Sequence, residues 1–386
     1  MYNILMPDER IESASKPQLL RTAILAALHR GSLKVGDRLP SEPELISKYG
    51  VSRGTVREAL ISLEQEGWVR RQQGKGTFVN ERPKIHRTVA VIAPYLYAND
   101  TPDFRAGTDV IPILMQSIEH HVRKQGINIM LYLDNLEVET ERENILNVIE
   151  RGVDAILMIY IGGAQNLDCL ESIQVSGIPL VLFDRYIEEL DIDSVASDNH
   201  FGAYKATERF LDAGFPNVTY ITGPIDSTVL RDRCRGYTDA MNERSLPTKI
   251  IELVQDVGEF TDRLNYDRTR ALVDRLEFPT AIFSSDATRL ALVSQLIQEK
   301  GIGTSEYGLG CFDEPYLNFP EDLYVVKVLQ PLQEIGRKAV DLTLGLLNRK
   351  LSSEAAEGTS RLLLPPEILS LGPPTRPGHP GVIRSL

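Results

Sequence analysis

The 386-residue chain is 42% hydrophobic and 25% charged, ordinary for a globular protein of two or three domains and unlike a disordered or fibrous one. No apolar run approaches the ~20 residues of a membrane span, and no basic start leads into an apolar stretch, so neither a span nor a secretion signal is expected. Cys169, Cys234 and Cys311 are widely separated, which gives neither a metal spacing nor a disulfide framework and fits a reducing cytoplasm.

The net charge of −12 is unevenly placed, at +7 over residues 16–87 against −17 over 88–386. A basic head attracts polyanions that an acidic body repels. In the head, Ser15 and Pro17 can start a first helix, with an apolar stripe at Leu20, Ile24, Ala27 and Leu28. Ser41 is a good N-cap for a second helix, and Glu44 three residues on completes a capping box. Gly50 can end that helix in left-handed backbone, and Ser52 caps a third whose buried stripe is Val56, Ala59, Leu60 and Leu63. Only "GVS" separates the two, which is a helix-turn-helix pattern. "WVRRQQGKGTFV" follows as a hairpin, the wing, turning at "QGKG".

Arg53, Thr55 and Arg57 lie largely off the buried stripe, where a recognition helix presents base-reading side chains. Arginine can bond guanine O6 and N7 together. The third helix's N-terminus and the Ser52 hydroxyl suit a phosphate, and Lys75, between Gly74 and Gly76, can reach DNA from the wing tip. A lone arginine pair is ordinarily a solvated surface charge, for example with Arg57 beside Glu58 or Glu64; cap, turn, wing and positive charge together favour DNA reading.

Residues 16–80 resemble the GntR family of winged-helix regulators, through "GDRLPSEPEL", "VSRGTVREAL", "LEQEGWV" and "QGKGTFV" in order. The resemblance implies operator contacts from Arg53, Arg57, Thr55 and the glycine-rich wing tip, with Ser41 and Ser52 beside them. Where that family commonly carries another DNA-touching arginine, this chain has Pro43.

After the polar linker 81–87, short apolar runs alternate with amphipathic stretches over 88–371. The runs are at 88–96, 127–133, 154–161, 178–184, 217–223, 279–286, 307–313 and 323–330. Such alternation predicts an α/β fold with parallel sheets, and the length suits two lobes. The expected division is lobe 1 at about 88–195 and 328–350, lobe 2 at about 196–327 and 351–371, then a tail at 372–386 rich in proline and glycine. Asp184, Arg185, Asp286, Asp313 and Gln330 fall just past strand ends, where ligands of parallel sheets bind.

The body resembles the effector domain of the lactose-repressor family, which shares the fold of periplasmic sugar-binding proteins. The matching motifs are "VLFDR", "SVASDNHFGA", "TYITGPIDSTVLRDRCRGY", "FSSDATRLAL", "GLGCFDE" and "VLQPLQEIGRKAV". The resemblance implies effector contacts from Arg233 and Asp313, from Asp184 and Arg185, from Phe260 as a stacking aromatic, and from Asp286. Structural alternatives are an Arg233 ion pair with Asp232 or Asp226, and helix capping by Asp198 and Asn199. The stretch at 97–112 is longer than the usual loop, and Ser-Thr-Val at 227–229 differs from the purine-responsive members.

Together the two halves resemble the arabinose-repressor type, a GntR head on a lactose-repressor body. The expectation is a cytoplasmic, dimeric repressor of carbohydrate genes, bound to operator DNA and controlled by a small sugar. No nucleophile elbow, P-loop or zinc helix suggests an enzyme, a cofactor or a metal.

Overall fold

The computed structural model describes residues 16–29, 32–65, 67–72, 75–80, 87–94, 110–134, 137–253, 261–315, 317–352 and 359–373. Gly74, Phe260, the linker up to 86, residues 95–109 of the long loop and the tail from 374 lie outside the described residues. The chain divides into two compact units, one of residues 1–94, 119–181 and 339–359, the other of 95–118, 182–338 and 360–386.

The head opens the first unit with helices α1 (Lys16–His29), α2 (Glu42–Tyr49) and α3 (Arg53–Gln65) and strands β1 (Val69–Gln72) and β2 (Gly76–Val79). Both capping signals act as their chemistry dictates: Glu44 accepts from the Ser41 amide at 2.7 Å, and Gly50 ends α2 at φ 62° with its N–H on Ile46. Leu20, Ile24, Leu45, Val56, Leu60, Leu63, Val69 and Val79 close one small core. β1 and β2 pair antiparallel from Val69 opposite Val79 to Gln72 opposite Gly76.

The body continues with β3 (Thr88–Pro94), α4 (Val110–Lys124), β4 (Asn128–Asp134), α5 (Val138–Arg151), β5 (Ala155–Met158), α6 (Leu167–Ser176) and β6 (Leu180–Asp184). Then come β7 (Asp193–Ser197), α7 (Asn199–Asp212), β8 (Val218–Thr222), α8 (Thr228–Glu243), β9 (Lys249–Glu252) and α9 (Thr261–Val273). The rest is β10 (Thr280–Ser284), α10 (Ala287–Glu299), β11 (Tyr307–Phe312), β12 (Tyr324–Leu329), α11 (Leu332–Ser352), β13 (Arg361–Leu364) and β14 (Glu367–Leu371).

Two six-stranded sheets result, ordered β13-β7-β6-β5-β3-β4 and β14-β12-β11-β10-β8-β9. In the second, β9, β8, β10, β11 and β12 run parallel, and only β14 pairs antiparallel, to β12. Its strands β8, β10, β11 and β12 read as nearly unbroken apolar runs because both faces are covered. Phe210, Tyr220, Tyr237, Phe283 and Phe312 pack on one face, and Ile282, Leu290, Leu309 and Val325 on the other.

One expectation is corrected here. Residues 351–371 do not all join the second lobe: β13 pairs with β7 of the first sheet, Arg361 opposite Ser194. Its alternating, half-exposed side chains mark an edge strand, and such a pattern says nothing about which sheet it will join.

Candidate nucleic-acid interface and effector site

In the head, the Ser52 hydroxyl accepts from the Thr55 amide at 3.1 Å and lies 2.8 Å from its hydroxyl, which starts α3. Val56, Ala59, Leu60 and Leu63 are buried beneath it. Arg53 and Arg57, one turn apart, therefore face solvent with side chains 72% and 57% exposed. Their partner is Glu42 of α2, whose Oε2 is 3.6 Å from each Nε, rather than Glu58 or Glu64. Glu64 instead holds Arg71 of the wing at 3.4 Å. Thr55 is half-buried, Lys75 is exposed at the turn, and the exposed Ser41 hydroxyl donates to Glu44.

Sequence reasoning missed Arg38. Leu39 donates to Thr77 and Val79 to Asp37, so the segment before α2 adds an edge to the wing. That lays the exposed Arg38 guanidinium over Gly76, where a Cβ would stand 2.7 Å from its Nε. Its place in "GDRLP" is plain in the sequence, but nothing local ties that loop to the hairpin.

The second unit assembles the effector candidates at the carboxyl ends of its strands. Arg233, on α8, is only 5% exposed. Its Nε donates to Asn199 Oδ1 at 2.7 Å and its Nη1 to the Ser285 carbonyl at 2.6 Å. The guanidinium lies over the Phe312 ring, 3.7 Å from the centroid, a cation–π stack. Gly236, one turn along α8, permits this: a Cβ there would meet the His200 carbonyl at 2.2 Å, so only glycine lets α8 approach the start of α7 so closely.

Asp313 follows β11 and accepts from Gln330 at 2.7 Å. Burial raises its carboxyl pKa, Arg233 and the Gln330 bond oppose that, and Asp184 and Asp286 push it further up. Asp184 and Asp313 both hold left-handed backbone, at φ 72° and 69°. Left-handed backbone is uncommon in a non-glycine residue, and both aspartates hold it just where their strands end. Arg233, Asp184 and Asp286 thus all lie near enough to act on the buried Asp313 carboxyl.

Two candidates carry other duties as well. Asp286 caps α10, accepting from the Arg289 amide at 3.0 Å and pairing with the Arg289 side chain, while Ser285 Oγ donates to it at 2.8 Å. Arg185 Nε is buried, 3.5 Å from Asp184 Oδ2, and makes no hydrogen bond among the described residues. The next residue, Tyr186, donates its hydroxyl to Asp232 at 2.8 Å, and its pKa is pushed up to about 12 by burial and then by that carboxylate. Asp232 is thereby taken, and Arg233 forms no ion pair with it. Asp198 does cap α7, accepting from the Phe201 amide at 2.9 Å, whereas Asn199 orients Arg233 instead. Among the described residues no group of three or more His, Cys, Asp or Glu could hold a metal, and no helix is long and apolar enough to cross a membrane.

A winged helix-turn-helix head joined to an α/β body with this ligand-type site defines a DNA-binding transcriptional regulator. The chain belongs to the periplasmic binding protein domain family, whose pattern matches residues 106–351, and its head matches the gntR family of bacterial regulatory proteins over residues 19–79. It is 23% identical over 368 residues to the arabinose metabolism transcriptional repressor of Halalkalibacterium halodurans, covering 92% of this chain and 95% of that one. The repressor of the same description from Geobacillus stearothermophilus is 23% identical, covering 86% and 91%. In fold the chain is similar to the Cra transcriptional dual regulator of Pseudomonas putida, solved in complex with fructose 1-phosphate, with a TM-score of 0.58, 16% identity and coverage of 74% and 98%.

Proposed function

We propose that this protein represses carbohydrate-utilisation genes: the head binds operator DNA, and a small sugar in the second unit relieves that binding. The observation that carries the ligand half is Arg233, buried, pinned by Asn199 and Ser285, stacked on Phe312 and close enough to Asp313 to act on its carboxyl. Carboxylates accept from the hydroxyls of a polyol, and an oriented guanidinium donates to them. The relatives' names make arabinose the first sugar to test.

The regulator acts as a homodimer in the cytoplasm, because one recognition helix reads only a short half-site and two-fold symmetry doubles the contacts. It turns over no substrate and needs no cofactor or metal. An effector coupling of about 1–3 kcal/mol would change operator affinity by roughly 5–150-fold, enough for a switch. A thermal-shift panel of pentoses, hexoses and sugar phosphates on wild type and Arg233→Ala tests the site. A sugar should raise the wild-type Tm and leave the variant unmoved. Equal shifts in both proteins would remove Arg233 from the site, and no shift with any sugar would favour a constitutive DNA-binding protein.

A further inference from the structure

Glu42 has no place in the reading of α3 as a base-reading helix, yet both arginines of that helix rest on it. A single carboxylate oxygen stands 3.6 Å from Arg53 Nε and 3.6 Å from Arg57 Nε. Glu42 is the most sheltered of the three, with its side chain 26% exposed, so it is the better-placed partner and the arginines are the mobile ones. The neighbouring acid, Glu44, is committed to the Ser41 cap and cannot do the same work. The tight turn at Gly50 fixes α2 against α3 and so fixes the carboxylate under the guanidiniums.

The geometry points to Glu42 as a specificity-determining positioning residue for DNA reading. This rests on the assignment of Arg53 and Arg57 as base readers. Each guanidinium turns its Nε edge to Glu42, which leaves the terminal Nη groups to face a base edge, where two parallel bonds to guanine are made. A long exposed arginine otherwise has many rotamers to lose on binding. The same negative charge stands where a phosphate would approach, so it weakens contacts that carry no sequence information. Glu42 thus lowers the affinity for DNA in general and raises the preference for the operator.

The test compares full-length wild type, Glu42→Gln and Glu42→Asp on an operator duplex and a scrambled duplex at two salt concentrations. In Glu42→Gln, binding to scrambled DNA should strengthen about threefold to tenfold, while the operator-to-scrambled ratio falls about tenfold. Glu42→Asp keeps the charge at the start of α2 but shortens the reach. It should lower the ratio without strengthening scrambled binding, and its unchanged Tm would report an intact head. An unchanged ratio in both variants, with both duplexes bound more tightly by Glu42→Gln, would reduce Glu42 to bulk charge and overturn the proposal. The Arg53→Ala, Arg57→Ala double variant separates the two readings. If it distinguishes operator from scrambled DNA as wild type does, the assignment of α3 fails. If it loses that distinction and Glu42→Gln still changes the ratio in its background, the assignment stands and the positioning role fails.

Discussion

The arginines of the head and the arginine of the body are held in opposite ways. Arg53 and Arg57 sit on an exposed helix face over one shared carboxylate, at distances that leave the bonds easily exchanged. Arg233 is buried, with two short hydrogen bonds and an aromatic ring beneath it. A side chain that must grip a large polyanion has to be presented outward, and its own protein can hold it only weakly. One that meets a small ligand in a closed setting can be fixed in advance, so that little freedom is lost on binding.

That contrast can be broken most sharply at Phe312. Truncating this fully buried ring, as Phe312→Ala, should cost about 3–5 kcal/mol in urea unfolding and abolish the effector response, because packing and guanidinium share the same support. If stability were unchanged, Arg233 would not be rigidly held. Arg53→Ala and Arg57→Ala should do the reverse: about 1–3 kcal/mol of operator affinity lost per arginine in a gel-shift titration, with urea unfolding within ~0.5 kcal/mol of wild type. A large fall in stability would make them structural residues.

Gly50→Ala sharpens the head side. The left-handed backbone at φ 62° is the whole reason for glycine there, since an added Cβ meets nothing within 4 Å. The variant should lose about 1–2 kcal/mol through strain at the α2–α3 turn, read as a lower head Tm. The smallest effect is expected from Asp313→Asn. Burial holds the Asp313 carboxyl above the usual aspartate pKa, so the folded state prefers it protonated. That stability is fully present below the unfolded-state pKa and is lost as pH rises through the folded value. Asparagine tolerates the left-handed backbone and carries no charge. The variant should therefore melt about 2 °C higher than wild type at pH 7, lose that advantage as pH falls through the raised folded-state pKa toward about 4, and no longer respond to sugar. A lower Tm at pH 7 would mean that the carboxylate is a net stabiliser.

Much of the head was legible because its signals are local. A cap at Ser41, an acid at Glu44 and a stop at Gly50 each act within one turn of helix. The long apolar strands of the body were equally visible, since β3, β8, β10, β11 and β12 are buried over most of their length. The short strands β7, β9, β13 and β14 were not. They span four or five residues, and all but β7 carry exposed side chains, which leaves little pattern to count.

The aspartates at strand ends could be read from topology alone, but their companions could not. Asn199 follows a helix cap in the sequence, and only the close crossing of α7 and α8 at Gly236 brings it to Arg233, 34 residues away. Phe312 reads as one more core aromatic until the guanidinium is found above it. The tie from Glu42 to α3 was hidden for the same reason: a carboxylate in the first turn of a helix has a sufficient local explanation in the helix dipole.

The pairing of β13 with β7 and of β14 with β12 has a consequence for how the molecule is made. Both strands follow every other strand of either sheet in the chain, and each finishes one edge. Every residue of the head's core cluster lies at or before Val79. At about 5–20 residues per second, a ribosome completes the head roughly 15–60 s before it delivers Leu371. The newborn chain can therefore hold every residue of its helix-turn-helix core before either large sheet has both borders, and a stop codon at 360 would strip a border from both at one stroke.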